Sequence, residues 1–202
     1  MAGLGWCMFD PQAYWRNPND AINKPSEYAK YTKRSDFLLN ILPRYITKDN
    51  SILELGCNCG RNLNALYLAG YKYLSGIDIN MSAIKLCEKI YPELYSVAEF
   101  YIESIESWLK TNPLQYDVIF TMAVLEHIPK ESEWIFYNIA HKARSLILTI
   151  EDENSGSPKH FPRNYQPIFD GLGWRQIFEQ RASQSDQLEG LIARAFTRKV
   201  VT

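Results

Sequence analysis

The stretch Glu54-Leu55-Gly56-Cys57-Asn58-Cys59-Gly60-Arg61-Asn62 decides the fold of this chain. A short apolar run that begins at Ser51 precedes it, and an amphipathic run follows it. Glycines at such a turn permit positive φ and let a ligand approach the backbone. The start of the following helix adds unpaired N–H groups and a positive dipole end, which favour an anion. The stretch therefore predicts a strand, a tight ligand-binding loop and a helix.

Strand and helix patterns alternate on both sides of this loop. Apolar residues at helical spacing predict a helix over about 26–46 before it. The alternation after it implies a mostly parallel sheet with helices on both faces. The expected strands are Ser51–Leu55, Tyr73–Ile79, Ala98–Ile102, Asp117–Thr121 and Ser145–Ile150. The expected helices are Arg61–Ala69, Ser82–Tyr91, Ile105–Lys110, Glu131–Ala143 and Asn164–Phe169.

The last two apolar runs, Trp174–Arg181 and Leu191–Arg198, lie too close together for a crossover helix. They predict an antiparallel hairpin at the end of the parallel sheet. We therefore expect one α/β domain over residues 1–202. It would comprise an N-terminal arm or lid over 1–25, a helix over 26–46 and a Rossmann-like core over 50–202.

Composition limits the classes of function. The chain has 202 residues, 46% of them hydrophobic, and a formal net charge of −1. That hydrophobic share is enough for one core, and the dispersed basic residues argue against a nucleic-acid binder. Cys7, Cys57, Cys59 and Cys87 lack zinc-finger spacing, and no run is long or apolar enough to span a bilayer. The N-terminus carries no secretory signal, so a cytoplasmic protein is expected.

Asp78 ends the strand after the loop, about 20 residues beyond Gly56. A carboxylate at that position can accept both hydrogens of a ribose diol, so a nucleoside-bearing ligand is expected. A dinucleotide fingerprint beginning at Gly56 would need glycine at positions 58 and 61, where this chain has Asn58 and Arg61. Glu54, Gly56 and Gly60 instead match an E-x-G-x-x-x-G pattern. An NAD-dependent oxidoreductase is therefore the less favoured alternative.

These residues resemble the class I S-adenosylmethionine-dependent methyltransferases. ILELGCNCGRNL is similar to the first motif of that family, and GIDIN is similar to its ribose-binding motif. The resemblance implies a seven-stranded sheet with an antiparallel last strand, S-adenosylmethionine as cofactor and S-adenosylhomocysteine as product. The family commonly has glycine where this chain has Asn58, and asparagine tolerates left-handed backbone. A methyltransferase-like binding protein without turnover is a further alternative.

Matched positions carry the family's cofactor-binding roles to this chain. Glu54 is expected to fix the methionine end, Asp78 to hold the ribose hydroxyls, and Ile79 to pack on adenine. Ser104 and Ile105 are expected at the adenine edge, and Thr121 and Met122 to offer backbone carbonyls. The loop residues expected around the methionine part are Gly56, Cys57, Asn58, Gly60 and Asn62.

The segment Leu125-Glu126-His127-Ile128-Pro129 resembles the L-E-H-[IV]-P element of many small-molecule methyltransferases. Glu126 and His127 are the candidate catalytic residues, because a histidine can take a proton from an acceptor hydroxyl or amine. Alternatively, His127 hydrogen-bonds its own loop and holds that loop in position. Some relatives hold a divalent metal with this pair and an acidic residue three places earlier. Alanine occupies that place here. Some of these relatives also use a distant histidine, which His160 could supply, but no full ligand set is evident, so no metal is expected.

A loop rich in ionisable groups follows the fifth strand, at the edge where the cofactor is expected. Glu151, His160 and Arg163 from this region, together with Tyr14 and Trp15 from the arm, are the candidate substrate-binding residues. A solvated surface loop is the alternative. No large recognition module is inserted, which favours a small-molecule substrate over nucleic acid. The sequence does not specify the acceptor or the oligomeric state.

Overall fold

The protein, described by a computed structural model over residues 10–157 and 159–199, is built on one twisted sheet. Cys7 and the first part of the predicted arm lie outside the described residues. Seven strands follow the order β3-β2-β1-β4-β5-β7-β6. They are β1 (Ser51–Leu55), β2 (Tyr73–Asp78), β3 (Glu99–Ile102), β4 (Tyr116–Met122), β5 (Ala143–Glu151), β6 (Trp174–Arg181) and β7 (Ile192–Arg198).

Helices cover both faces of the sheet. They are α1 (Pro11–Arg16), α2 (Pro25–Tyr28), α3 (Thr32–Ile41), α4 (Arg61–Leu68), α5 (Met81–Ile90), α6 (Pro92–Val97), α7 (Ile105–Thr111), α8 (Trp134–Lys142) and α9 (Tyr165–Gly171). Short 3₁₀ turns occupy Ala21–Asn23, Leu42–Arg44, Leu125–His127, Lys130–Ser132 and Gln184–Asp186. Within the described residues, no helix has the length and apolarity required to cross a membrane.

The sheet topology confirms the predicted fold class. Strands β1 to β5 pair in parallel, whereas β7 runs antiparallel between β5 and β6. From β1 the chain first adds β2 and β3 on one side, then returns to add β4 and β5 on the other. Such a reversal opens a crevice at the carboxyl ends of the two central strands. The ligand site is therefore expected beyond Leu55 and Met122.

Two hydrophobic layers hold this sheet. One lies between the sheet and helices α3 to α6, and includes Leu38, Leu63 and Ile84. The other lies beneath α7, α8 and α9, and includes Trp108 and Phe169. Burial of apolar surface on both faces explains why the central strands read as continuous apolar runs.

The segment 26–46 is not the single helix that its apolar spacing predicts. Helix α2 ends at Tyr28, helix α3 begins at Thr32, and Pro43 lies in a 3₁₀ turn. The break after α2 exposes the carbonyl of Tyr28, which accepts a hydrogen bond from Arg61 Nη1 at 2.8 Å. A contact distant in sequence therefore compensates the break, and local periodicity could not reveal it.

Two helices were not predicted. In the arm, the side chain of Asp10 caps α1 by accepting from the N–H of Ala13, and Pro11 occupies its first turn. Pro92 likewise begins α6 directly after α5. A capping residue followed by proline is a helix-start signal, so the sequence contained the information for α1.

Candidate active site

A cleft opens at the carboxyl ends of β1, β2 and β4, as the strand reversal predicts. Its empty volume, which includes open solvent at its mouth, is about 1030 Å³. Its lining includes ten of the twelve predicted cofactor-binding residues: Glu54, Gly56, Cys57, Asn58, Asn62, Asp78, Ile79, Ser104, Ile105 and Met122. Gly60 and Thr121 lie next to the cleft, outside its lining.

The loop between β1 and α4 has left-handed backbone at three positions. Gly56 has φ +73°, Asn58 has φ +49° and Gly60 has φ +71°. Asn58 thus adopts the left-handed backbone that asparagine tolerates at this position. A Cβ on Gly56 would lie 2.5 Å from Cγ2 of Val124, so this turn leaves no space for a side chain. The two turns that end β1 and β4 are packed directly against each other.

Asp78 faces this loop from the end of β2. Its Oδ2 accepts the N–H of Asn58 at 2.7 Å, and its Oδ1 accepts the N–H of Asn80 at 2.8 Å. Asn80, rather than Asp78, caps helix α5. Burial raises the pKa of Asp78 to about 6, and these two hydrogen bonds oppose the rise. Each carboxylate oxygen keeps acceptor capacity, as binding of a diol requires.

Glu54, the last polar residue of β1, is buried at the floor of the cleft. Its Oε1 accepts from Asn62 Nδ2 at 2.7 Å, whereas its Oε2 has no hydrogen-bond partner among the described residues. Burial raises the pKa of Glu54 to about 8. An unpartnered carboxyl oxygen in a cleft favours a ligand that brings a positively charged donor.

The predicted adenine-side residues occupy the opposite wall. Ile79 follows Asp78, and Ser104 caps helix α7 by accepting the N–H of Ser107 at 3.1 Å. Met122 lies at the end of β4 with its sulfur 3.6 Å from Asn62 Nδ2. Thr121 is buried within β4, where it pairs with Leu55 and Thr149. Its side chain is therefore buried in the sheet and does not line the cleft. A contact from its backbone carbonyl to the cofactor stays a prediction.

A buried carboxylate braces the turn after β4. Ala123 has φ +54°, and Oε2 of Glu151 accepts the N–H groups of Val124 at 2.9 Å and Glu126 at 3.2 Å. Glu151 is fully buried, and its burial raises its pKa. The side chain is therefore engaged beneath the turn and does not line the cleft, so the structure lends no support to its predicted contact with substrate.

His127 lines the cleft at the end of this turn. Its Nδ1 lies 2.8 Å from the carbonyl oxygen of Lys159. Because a carbonyl only accepts, Nδ1 carries the proton and Nε2 presents a lone pair. Burial lowers the pKa of His127 to about 4, so the ring is neutral at neutral pH.

The side chains of Glu126 and His160 both lie close to the ring of His127. Oε1 of Glu126 lies 3.6 Å from Nε2 of His127 and 3.6 Å from Nε2 of His160. The two imidazole rings have centroids 4.7 Å apart. Sequence analysis placed these three residues in separate roles, two catalytic and one in the substrate loop. The structure brings them into one cluster, because the N–H of Phe161 bonds the carbonyl of Glu126 at 2.6 Å.

The remaining substrate candidates separate into two groups. Trp15 lines the cleft, and its ring centroid lies 4.4 Å from that of His127. Tyr14 does not line it and is held instead by its hydrogen bond to Asp20. Arg163 is buried and bonds Glu133 at 2.9 Å and the carbonyl of Phe161 at 2.8 Å. Of the two predicted arm residues, Trp15 is therefore in a position to contact a substrate, whereas Arg163 is engaged by Glu133 and by its own loop.

The lining also includes Tyr28, Arg34 and Arg61. The sequence suggests Tyr28 as part of a cover over the acceptor and Arg34 as a contact for the cofactor carboxylate, whereas Arg61 was not predicted as a site residue. Arg61 is buried at the start of α4, and its Nη2 donates to Oδ1 of Asn62 at 3.0 Å. Its position directly after the glycine loop could have indicated that it lies at the site. Tyr28 ends α2 and Arg34 lies in the first turn of α3, so both line the cleft near the break in the 26–46 segment.

Comparison with known proteins agrees with this geometry. The family described as "Methyltransferase domain" matches residues 46–157, more than half of the chain. A curated ubiquinone biosynthesis O-methyltransferase from Thiobacillus denitrificans is 26% identical over 49% of this chain and 48% of its own length. The corresponding protein from Nitrosomonas europaea is 22% identical over 64% of this chain and 58% of its own length. The chain thus spans about half the length of the curated relatives it matches.

A solved structure has the same fold. Magnesium protoporphyrin IX methyltransferase from Synechocystis PCC 6803, with bound SAM, superposes with a TM-score of 0.73 and 12% identity. The superposition covers 96% of this chain and 100% of that chain. At this identity the likeness concerns the fold, and it confirms the predicted seven-stranded architecture.

Proposed function

The chain belongs to the methyltransferase-domain family, and on that premise we propose that it transfers a methyl group from S-adenosylmethionine to an oxygen or nitrogen of a small molecule. Family membership confirms the resemblance noted in the sequence. The single observation that carries the proposal is the carboxylate of Asp78, which lines the same cleft as the left-handed loop Gly56–Gly60 and is bonded to its Asn58 N–H.

The residues present fit S-adenosylmethionine chemically. The unpartnered Oε2 of Glu54 would accept from the amino group at the methionine end. The open acceptor capacity of Asp78 would take the ribose hydroxyls, and Ile79 and Ile105 supply apolar surface for adenine. Gly56 keeps the turn free of a Cβ, so the backbone can lie against the ligand.

The reaction needs little from the protein beyond alignment. S-adenosylmethionine supplies an electrophilic methyl group on a sulfonium, and the acceptor's lone pair forms the new bond as the C–S pair stays on sulfur. Protein residues then hold the two partners in line and exclude water. In this chain Glu54 and Asp78 would hold the two ends of the donor, while the loop after β4 forms the wall between them.

We infer that the acceptor binds at the His127 end of the cleft. Trp15, His127, Ile128 and Pro129 line that end, and their rings and apolar carbons suit a small, largely apolar acceptor. The two curated relatives are O-methyltransferases by name, which favours oxygen as the acceptor atom. A soluble cytoplasmic setting and a small-molecule partner are part of the same proposal.

An oxidoreductase function is opposed by Arg61. Its side chain is buried and bonded to the Tyr28 carbonyl at 2.8 Å, at the position where a dinucleotide fingerprint requires glycine. In this chain, Gly76 of β2 allows the sheet to approach the loop before α4 closely. A Cβ on Gly76 would lie 2.6 Å from the sulfur of Cys57.

The experiment is transfer of a labelled methyl group. Purified protein, S-[methyl-³H]-adenosylmethionine and a cell extract separated into small-molecule and macromolecular fractions are incubated together. We expect label in a small molecule, at an oxygen or nitrogen identified by mass spectrometry. Label confined to protein or RNA would refute the small-molecule acceptor. Absence of transfer, with the donor bound, would favour a binding protein without turnover.

A further inference from the structure

We propose that Glu126, His127 and His160 form a binding site for one divalent transition-metal ion at the acceptor end of the cleft. Each of these three residues offers one ligand atom, and the three atoms all lie within 4.8 Å of one another. The proposal reverses the expectation of a metal-free site. That expectation depended on Ala123 and on the absence of a full ligand set, whereas the folded protein brings His160 next to the Glu126–His127 pair.

The spacing suits an ion rather than direct contacts between the side chains. Oε1 of Glu126 lies 3.6 Å from each Nε2, which is beyond hydrogen-bond distance. Ligands about 2.0–2.2 Å from a tetrahedral zinc ion lie roughly 3.3–3.5 Å from one another. The two separations from Glu126 are therefore close to those of a bound ion, and the ligand atoms of the two histidines lie within 4.8 Å of each other.

The outer nitrogens of both histidines are already held. His127 Nδ1 donates to the Lys159 carbonyl at 2.8 Å, and His160 Nδ1 lies 2.5 Å from the hydroxyl oxygen of Ser157. Metal-binding histidines usually fix their second ring nitrogen in this way, because it sets the tautomer and directs the other lone pair to the ion. Both Nε2 atoms here point toward the same carboxylate oxygen.

Charge in the surroundings also favours a cation. Glu126 is buried and its Oε2 accepts the N–H of Asp152. Its own N–H bonds the buried carboxylate of Glu151, whose Oε1 has no hydrogen-bond partner among the described residues. Two acidic side chains are thus buried side by side. A divalent ion would compensate their charge.

The donor set indicates the kind of ion. Two imidazoles and one carboxylate suit zinc, iron(II) or cobalt(II), whereas magnesium prefers oxygen ligands. Three protein ligands leave a coordination position open, as in catalytic sites. His127 lines the cleft and 29% of the His160 side chain is exposed, so an ion has a route in.

The ion's role rests on the proposed methyl transfer, whereas its binding does not. An acceptor oxygen in the open position would lose its proton to solvent more readily. Its lone pair would then form the C–O bond while the C–S pair remains on sulfur. In this arrangement His127 is a metal ligand and not the general base.

The test is metal titration of the full chain after dialysis against EDTA. Calorimetry with Zn²⁺ should show one site, with little heat from Mg²⁺ at the same concentrations. Co²⁺ should give visible absorption bands that Zn²⁺ removes. His127→Ala and His160→Ala should each weaken Zn²⁺ binding by more than about 100-fold, since even outer-sphere changes cost 10–100-fold. Ser157→Ala should weaken Zn²⁺ binding by about 10–100-fold.

The matched control is His141→Ala, which removes an exposed histidine stacked on Tyr137, away from the cluster. It should leave Zn²⁺ affinity unchanged, and urea unfolding should show that every variant is folded. Zinc binding that is absent, or equal in His160→Ala and wild type, would overturn the proposal. S-adenosylhomocysteine affinity of His160→Ala should equal that of wild type, so failure of the metal site and failure of the cofactor site are separate results.

Discussion

Gly56→Ala is expected to lower the free energy of unfolding by about 2–5 kcal/mol and to abolish measurable binding of S-adenosylhomocysteine. The new methyl group would lie 2.5 Å from Val124 Cγ2 at a backbone φ of +73°. Left-handed backbone costs roughly 1–2 kcal/mol for a residue with a Cβ, and overpacking adds about 1–3 kcal/mol. The strain falls on the turn after β4, which forms one wall of the cleft. Urea unfolding and calorimetry measure the two effects.

The matched control is Gly70→Ala. Gly70 has φ +91°, but a Cβ there would have no atom within 4 Å. This variant therefore carries only the backbone cost, about 1–2 kcal/mol, and should keep full affinity for S-adenosylhomocysteine. Equal losses of stability in the two variants, with binding intact in both, would show that Gly56 and Val124 are not packed as described.

Asp78→Ala is expected to weaken S-adenosylhomocysteine binding by about 1–3 kcal/mol, or roughly 5–150-fold. The variant removes charge-assisted hydrogen bonds to the ribose and also frees the N–H groups of Asn58 and Asn80. Calorimetry on the folded variant gives the loss directly. Asp49→Ala, which removes an exposed carboxylate on the loop before β1, should leave the affinity unchanged.

A 2′-deoxy analogue of S-adenosylhomocysteine separates the ribose contact from a disturbed loop. Wild type should bind the analogue more weakly than the parent compound, because one hydroxyl is missing. Asp78→Ala should discriminate between the two much less, since the carboxylate that reads this hydroxyl is gone. Equal discrimination by both proteins would mean that Asp78 supports the loop and does not contact the ribose.

The fold was predictable because its signals are local. The apolar run ending at Leu55, the glycines at 56 and 60, and the short gap between the last two strands each depend on neighbours in sequence. Strand order then followed from the alternation and from the resemblance to a known family. The break in the 26–46 segment was not predictable, because the Tyr28 carbonyl accepts a hydrogen bond from Arg61 of α4, a contact distant in sequence.

The site was predictable where a residue lies within its motif. Glu54, Asn58 and Asp78 occupy the cleft because the loop geometry itself places them there. Position in a loop alone did not predict the contacts of Glu151 and His160 correctly. Glu151 is turned beneath the β4 turn, where unpaired backbone N–H groups require an acceptor. His160 joins Glu126 through a backbone hydrogen bond at Phe161, and no sequence spacing encodes that contact.

The central claim is that this cleft holds an adenosyl sulfonium between Glu54 and Asp78. Calorimetric titration of the wild-type chain with S-adenosylhomocysteine, and separately with NAD, tests it most directly. We expect one binding site of micromolar affinity for S-adenosylhomocysteine and no detectable heat from NAD. Binding of NAD without binding of S-adenosylhomocysteine would contradict the account.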